Sequence, residues 1–588
     1  MAERRIQHVV VLMLENRSFD HLLGFLDHPS PEFPGLTPAA HANPVDPADR
    51  GSRQVAVTPD AGYSLPVDPP HSHKSALEQM GLTGTGRARM NGFVSAYERK
   101  ASGHEERPVI HVRRLEGLVL AAAGAVSALT ARFGGRLRRL WALVFVALGA
   151  GLSTVLWRWK KSVEKVEVVE GVGPEIMKCL APDKIPVLGT LARDFAICTR
   201  WHCSVPGETW PNRNFLHSAT SDGTVDIEIG LYESPTVFER LESAGADWRV
   251  YHDGRAHLWA FQNTWLGDRI ANWFAFGEFE RHVAADDLAA YTFIEPNHQG
   301  PRSNSQHPGN NVRPQPDSTD FERGERLVAS IYEALRRNPQ VFEKTLFLVT
   351  YDEHGGLFDH EPPPRAPAPA PLNRRRISLT RRFVSWFIER DTVRFTFRTL
   401  GARVPTIIVS PWIDAATLDD RLYDHASVAA TLRLLFAPDA KPLTRRDAAA
   451  NTFEHLVNGR STPRTGGDLP DLSARAGATT RTASREAPSP EADGDGAARD
   501  ADRGAEPAGT TPLSDDDFAR QLDVLAARMR QALGTEAAAA PGSAGNAAAR
   551  AADGSRRAAP APPPGPDADV VGEFLAQAQA RRSTGSPG

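Results

Sequence analysis

Ile6-Gln7-His8-Val9-Val10-Val11-Leu12-Met13-Leu14-Glu15-Asn16-Arg17-Ser18-Phe19-Asp20-His21 is the stretch from which the fold is read. Val9 to Leu14 is an unbroken run of β-branched and aliphatic side chains, the pattern of a strand buried on both faces of a parallel sheet. Polar chemistry begins abruptly at Glu15 and Asn16. In an open α/β sheet, ligands sit outside the carboxyl ends of the strands, so a metal or substrate would be met here. A carboxylate beside an amide oxygen suits a hard or borderline divalent cation. The competing reading makes Glu15 and Asn16 caps of a helix that begins near Ser18.

Far downstream, Thr345 to Tyr351 (T-L-F-L-V-T-Y) repeats the pattern and runs into Asp352, Glu353, His354, Gly355 and Gly356, then Asp359 and His360. Paired glycines let the backbone turn tightly behind the two carboxylates. Two such strand ends can bring Glu15, Asn16, Asp352 and Glu353 to one ion. E-N-R-S-F-D-H and Y-D-E-H-G-G-x-F-D-H resemble motifs of the bacterial phosphoesterase family that contains the non-haemolytic-type phospholipases C and a group of acid phosphatases. The likeness runs in pieces from about Ile6 to about Val457. It implies an alkaline-phosphatase-like α/β core, a three-layer sandwich with a mainly parallel central sheet, carrying insertions and a disordered C-terminal tail.

At 588 residues and a net charge of −4, with basic residues dispersed, the chain has no nucleic-acid footprint. Its three cysteines, Cys179, Cys198 and Cys203, lack zinc-ligand spacing and read as small buried residues rather than a disulfide framework. Met1 to Arg5 enters the first strand with no signal-peptide pattern. The expectation is a cytoplasmic or membrane-associated protein, unless it is exported by another route.

Taken in order, Pro29 to Pro70 is a long surface excursion rich in Pro, Asp, Ala and Gly, closing on His71-Ser72-His73. Met90 to Val94 resembles the family's M-x-G-F-V segment, and the resemblance raises His71 and His73 as substrate-binding candidates. An apolar insertion of about residues 113–165 holds two uncharged runs, Gly117 to Ala131 and Leu140 to Trp157. The second reaches the lower limit for a membrane span and has aromatic and basic flanks. The alternatives are helices lying on a membrane face, or packed on the enzyme or another copy. Family members carry the nucleophile just before P-N-R. The hydroxyl preceding that motif here is Thr209, so the resemblance makes Thr209 both nucleophile and metal ligand, with Asn212 and Arg213 placing the loop or a phosphate oxygen. Glu208 and Trp210 depart from the usual pattern. Trp248 to Asp253 and Tyr291 to Pro296 read as strands, the latter carrying Glu295. Gln306-His307-Pro308 resembles the family's H-P motif, which makes His307 a candidate to protonate the leaving oxygen. Leu327, Ile331 and Leu335 form the core stripe of a helix from about Phe321 to Asn338. Residues 374–394 mix arginines with aromatics, the pattern of a basic amphipathic helix for a membrane surface, lid or partner. Thr406 to Ser410 reads as a further strand, and Asp424 and His425 as substrate-site candidates.

A phosphoesterase domain of residues 1–460 is thus expected, followed by a low-complexity tail of 461–588 with an amphipathic docking helix at about 514–533. The expected chemistry is hydrolysis of phosphate esters with a divalent metal ion held by Glu15, Asn16, Asp352, Glu353 and Thr209, attack by Thr209, and assistance from His307 and His354. The membrane-seeking insertions favour phospholipase C-type cleavage of glycerophospholipid headgroups. An acid phosphatase for soluble monoesters, and a membrane-associated scaffold with an inactive core, are the alternatives.

Overall fold

The computed structural model describes residues 5–82, 88–103, 109–110, 169–227, 231–311, 318–369, 388–389 and 395–476. His8–Leu14 is β1, and every residue from Val9 on is buried, so both faces of the strand are covered. Its neighbours are β5 (Tyr291–Glu295) and β6 (Thr345–Tyr351), both parallel to it, with Leu14 registered on Tyr351. Around this centre lie β2 (Ala196–Cys198), β3 (Trp248–His252), β4 (Trp273–Ala275), β7 (Ile407–Val409) and β8 (Thr417–Asp419). The eight strands form one sheet in the order β8-β2-β7-β6-β1-β5-β3-β4. Only β7 runs against its neighbours. This is the expected mainly parallel α/β core, and the expected strands at 248, 291 and 406 are all present within a residue or two of their predicted ends.

Helices form separate layers on the sheet. One gathers α4 (Thr209–Ser218), α5 (Val237–Ser243) and α8 (Ala426–Phe436). Another holds α6 (Phe279–Ala284) and α7 (Asp320–Arg336), the latter with Leu327, Ile331 and Leu335 buried as its spacing requires. The shorter α1 (Phe19–Leu23), α2 (His73–Gln79) and α3 (Leu188–Asp194) complete the set used below.

Two expectations need correction. The catalytic unit does not stop at residue 460: Leu469 and Leu472 are buried in the main core, and Tyr332 donates to the Pro470 carbonyl at 2.8 Å. A polar, proline-bearing sequence concealed these two leucines, which are ordered by the surface they cover. In the 374–394 insertion, Ile388–Glu389 is not helical but an antiparallel pair with Val109–Ile110, just ahead of the apolar insertion. The apolar 115–161 stretch, the remainder of 374–394 and the tail helix at 514–533 lie outside the described residues. Among the described residues no helix is long and apolar enough to cross a membrane. All three cysteines are free and buried.

Candidate active site

The register of β1 on β6 places Glu15 and Asn16 beside Asp352, whose N–H donates to the Leu14 carbonyl at 3.2 Å. Ser18 caps α1 by accepting the His21 N–H, which leaves Glu15 and Asn16 free of capping duty. Asn16 takes a left-handed φ of 58°. Its N–H donates to Asp352 Oδ1 at 3.0 Å, and its side chain lies 2.8 Å from His307 Nε2 and 3.4 Å from Thr209 Oγ1. One asparagine therefore joins three elements. Gly355 and Gly356, at φ 65° and 70°, make the turn that brings this about, and a Cβ on Gly355 would lie 2.2 Å from the Asn16 carbonyl oxygen.

Thr209 is buried at the first turn of α4. The loop before it is held by Asn212, whose Oδ1 accepts the Val205 N–H at 3.0 Å while its Nδ2 donates to the carbonyls of Val205, Gly207 and Glu208. His73 contributes from the other side through the Pro206 carbonyl, and burial lowers its pKa. Asn212 and His73 thus act on the loop that carries Thr209. Arg213 is fully buried beneath the strand ends. Its Nε donates to Asp352 at 3.0 Å, Nη1 to Glu295 at 3.2 Å and Nη2 to the carbonyls of Met13 and Leu14. With these donors engaged by protein, Arg213 serves the carboxylates, not a phosphate oxygen.

His425 is likewise turned inward. The Trp201 indole only donates, so Nδ1 of His425 accepts from it at 3.3 Å and Nε2 carries the proton given to the Asp352 carbonyl at 2.7 Å. Burial holds this ring's pKa down at about 4. Asp424 is paired with Arg446 at 2.7 Å and accepts from Ser204. His354 sits behind Glu353, with Nε2 2.8 Å from Gln79 Oε1 and Nδ1 3.3 Å from Glu353. The sequence ranked Asp424 and His425 with the substrate groups and His354 with the catalytic ones because they flank strand ends. Their side chains support the edge from the protein side.

Two residues in the site, His298 and Asp68, were not singled out from sequence. His298 bridges Glu15 at 2.9 Å and Glu295 at 3.3 Å. Burial works against its charge, but the two carboxylates outweigh this and raise its pKa to about 9, while Glu15 is brought down to about 2, chiefly by His298 against its own burial. Asp68 is the second. Asp68, His71 and His307 place one ligand atom each within 4.8 Å of one another, and among the described residues no other His, Cys, Asp or Glu trio does so. A histidine three residues past a strand-end glutamate was the available signal for His298; Asp68 lay in a loop with none.

Two adjacent sets of donors therefore meet at Asn16. His71 donates from Nδ1 to the Pro69 carbonyl at 2.7 Å and stacks edgewise on His307. Burial opposes its charge, yet Glu353, Asp68 and Glu208 raise its pKa to about 9. An imidazole ligates a metal only when neutral, so a protonated His71 suits an anionic oxygen better than a cation. The oxygen set fits a divalent ion on its own chemistry. Glu353 Oε1 is buried without a hydrogen-bond partner, and burial together with Glu15 and Glu353 pushes Asp352 up to about 6 despite Arg213. Such a crowd of carboxylates is what a cation relieves.

The Phosphoesterase family model matches residues 6–123 and 154–437. Non-specific phospholipase C6 of Arabidopsis thaliana is 31% identical over 482 residues, covering 78% of this chain and 74% of the relative. Non-specific phospholipase C3 of the same plant is 29% identical over 483 residues, covering 78% and 75%. The non-hemolytic phospholipase C of Pseudomonas aeruginosa is 31% identical over 294 residues, 43% of this chain and 40% of that one. These matches and the arrangement at the sheet edge define a phosphoric ester hydrolase. The chain belongs to the Phosphoesterase family.

Proposed function

We propose that the protein cleaves glycerophospholipid headgroups in the manner of a phospholipase C, with Thr209 as nucleophile. The observation that carries this reading is the Thr209 hydroxyl at the start of α4, 3.4 Å from Asn16 Oδ1 and beside the buried carboxylates of two strand ends. The phospholipases C among its relatives suggest the substrate class. A divalent cation held by Glu15, Asn16, Asp352 and Glu353 would lower the pKa of the Thr209 hydroxyl and offset charge on the phosphoryl oxygens. Oγ attacks phosphorus, the bond to the diacylglycerol oxygen breaks, and His307 gives that oxygen a proton. Water then opens the phospho-threonine and releases the phosphorylated headgroup. The His71 cation and the N-terminus of α4 face negative charge throughout. In this reading the 115–161 and 374–394 segments meet the lipid surface.

The test is hydrolysis of phosphatidylcholine vesicles and of p-nitrophenyl phosphate by wild type and Thr209→Ala, each with and without chelator. Vesicle hydrolysis lost in the variant and with chelator is expected. Turnover of the soluble monoester alone would make the protein a phosphatase, and silence on both with several metals would leave a scaffold. Metal content separates the two donor sets: Asp352→Asn should lose bound cation on dialysis, while Asp68→Asn keeps it.

A further inference from the structure

Gln306 has a backbone of the kind that proteins keep only where something over-determines it. Its φ is 69°, the left-handed region, where a residue with a Cβ is strained. The side chain is wholly buried and anchored at both ends: Tyr351 donates its hydroxyl to Oε1, and Nε2 donates to the Phe321 carbonyl at 3.1 Å. It lies flat against α7 at Gly324, where a Cβ would come within 2.3 Å of Gln306 Cγ. The Gln306 carbonyl accepts from Arg17 Nε at 2.8 Å, and the preceding Ser305 carbonyl accepts the Glu15 N–H at 2.8 Å. Each anchor belongs to an element that also feeds the site: Arg17 follows Asn16, and Tyr351 precedes Asp352. The very next residue is His307, whose ring meets Asn16 at 2.8 Å and receives the Gly309 N–H at 2.9 Å.

We propose that Gln306 is a positioning residue that sets the place of the His307 ring relative to Asn16, and thereby the enzyme's capacity for esters with poor leaving groups. This rests on the reading of His307 as the donor to the leaving oxygen. A diacylglycerol oxygen needs that proton; a p-nitrophenolate does not. The strained φ turns the chain so that His307 looks inward, and the side-chain tether holds the turn.

Compare Gln306→Met, which keeps bulk but loses both hydrogen bonds, Gln306→Gly, which accepts the φ but loses the tether, His307→Ala, and the Gln306→Met/His307→Ala pair. Substrates are phosphatidylcholine in mixed micelles and p-nitrophenyl phosphorylcholine. Both Gln306 variants should lose about 100-fold in kcat on the lipid with little change in KM, keep most of the nitrophenyl activity, and add nothing to the loss in His307→Ala. Equal loss on both substrates, or losses that multiply in the pair, would make Gln306 a merely structural residue and overturn the proposal. If His307→Ala alone spares lipid hydrolysis, the leaving-group role of His307 fails and the proposal with it, while Thr209 as nucleophile stands untouched. Should Gln306→Met not fold, Tyr351→Phe removes one anchor and must show the same substrate split in weaker form.

Discussion

Arg213 carries the electrostatic balance of the strand ends. Asp352 and Glu295 are both fully buried, and the one guanidinium pairs with each. Removing one partner of a buried pair leaves a charge uncompensated, so Arg213→Met should cost about 3–5 kcal/mol in urea unfolding. Arg213→Lys should recover only part, because an ammonium cannot reproduce the fork that spans two carboxylates and two carbonyls. His217 makes a different prediction. It is buried against Phe293 and Phe238, and burial holds its pKa at about 3. In the unfolded chain it titrates near 6.5, so below that pH the unfolded state gains a proton that the folded state refuses, and stability falls as pH drops from about 6.5 toward 3. Relative to His217→Phe, wild type should lose about 2 kcal/mol between pH 6.5 and 5, read as the difference of two urea curves. At this scale the sequence drew attention to Glu15, Asn16, Asp352 and Glu353, because a strand end announces itself in one dimension. It showed the inward-turned His425 and Arg213 poorly, since side-chain direction is decided by neighbours from distant segments.

Among elements, the turn after β6 has the narrowest tolerance. Gly355 packs its bare Cα against the Asn16 carbonyl. Gly355→Ala should therefore lower activity more than stability, displacing Asn16 from both Asp352 and Thr209 while adding roughly 1–2 kcal/mol of left-handed strain. Comparing lipid turnover with the urea midpoint checks it. The paired glycines were legible as a turn; that they press on the first motif was not, since contact across more than three hundred residues leaves no periodic trace. The same holds for Arg403 at the entry to β7. It donates to Asp20 at 2.8 Å and Asp359 at 3.1 Å, and His360 meets Asp20 at 2.6 Å. One arginine thus fastens the end of E-N-R-S-F-D-H to the end of Y-D-E-H-G-G-x-F-D-H.

For the molecule as a whole, the extent of the folded unit is open to a direct check. A chain ending at residue 476 should melt like the full protein. One ending at 460 loses the burial of Leu469 and Leu472, worth about 1.5–3 kcal/mol each, and should melt at a clearly lower temperature by calorimetry. The parallel sheet was legible because its two central strands are unbroken apolar runs. The reversal of β7 was not, because a three-residue strand reads the same in either direction.

The position of β1 also sets a timetable for synthesis. It leaves the ribosome well ahead of its partners, residues 291–294 on one side and 345–351 on the other. At about 5–20 residues per second, V-V-V-L-M-L waits on the order of tens of seconds with both edges unpaired. During that interval the nascent chain carries a β-forming segment with open edges, an aggregation hazard that follows from placing an early strand at the centre of the sheet.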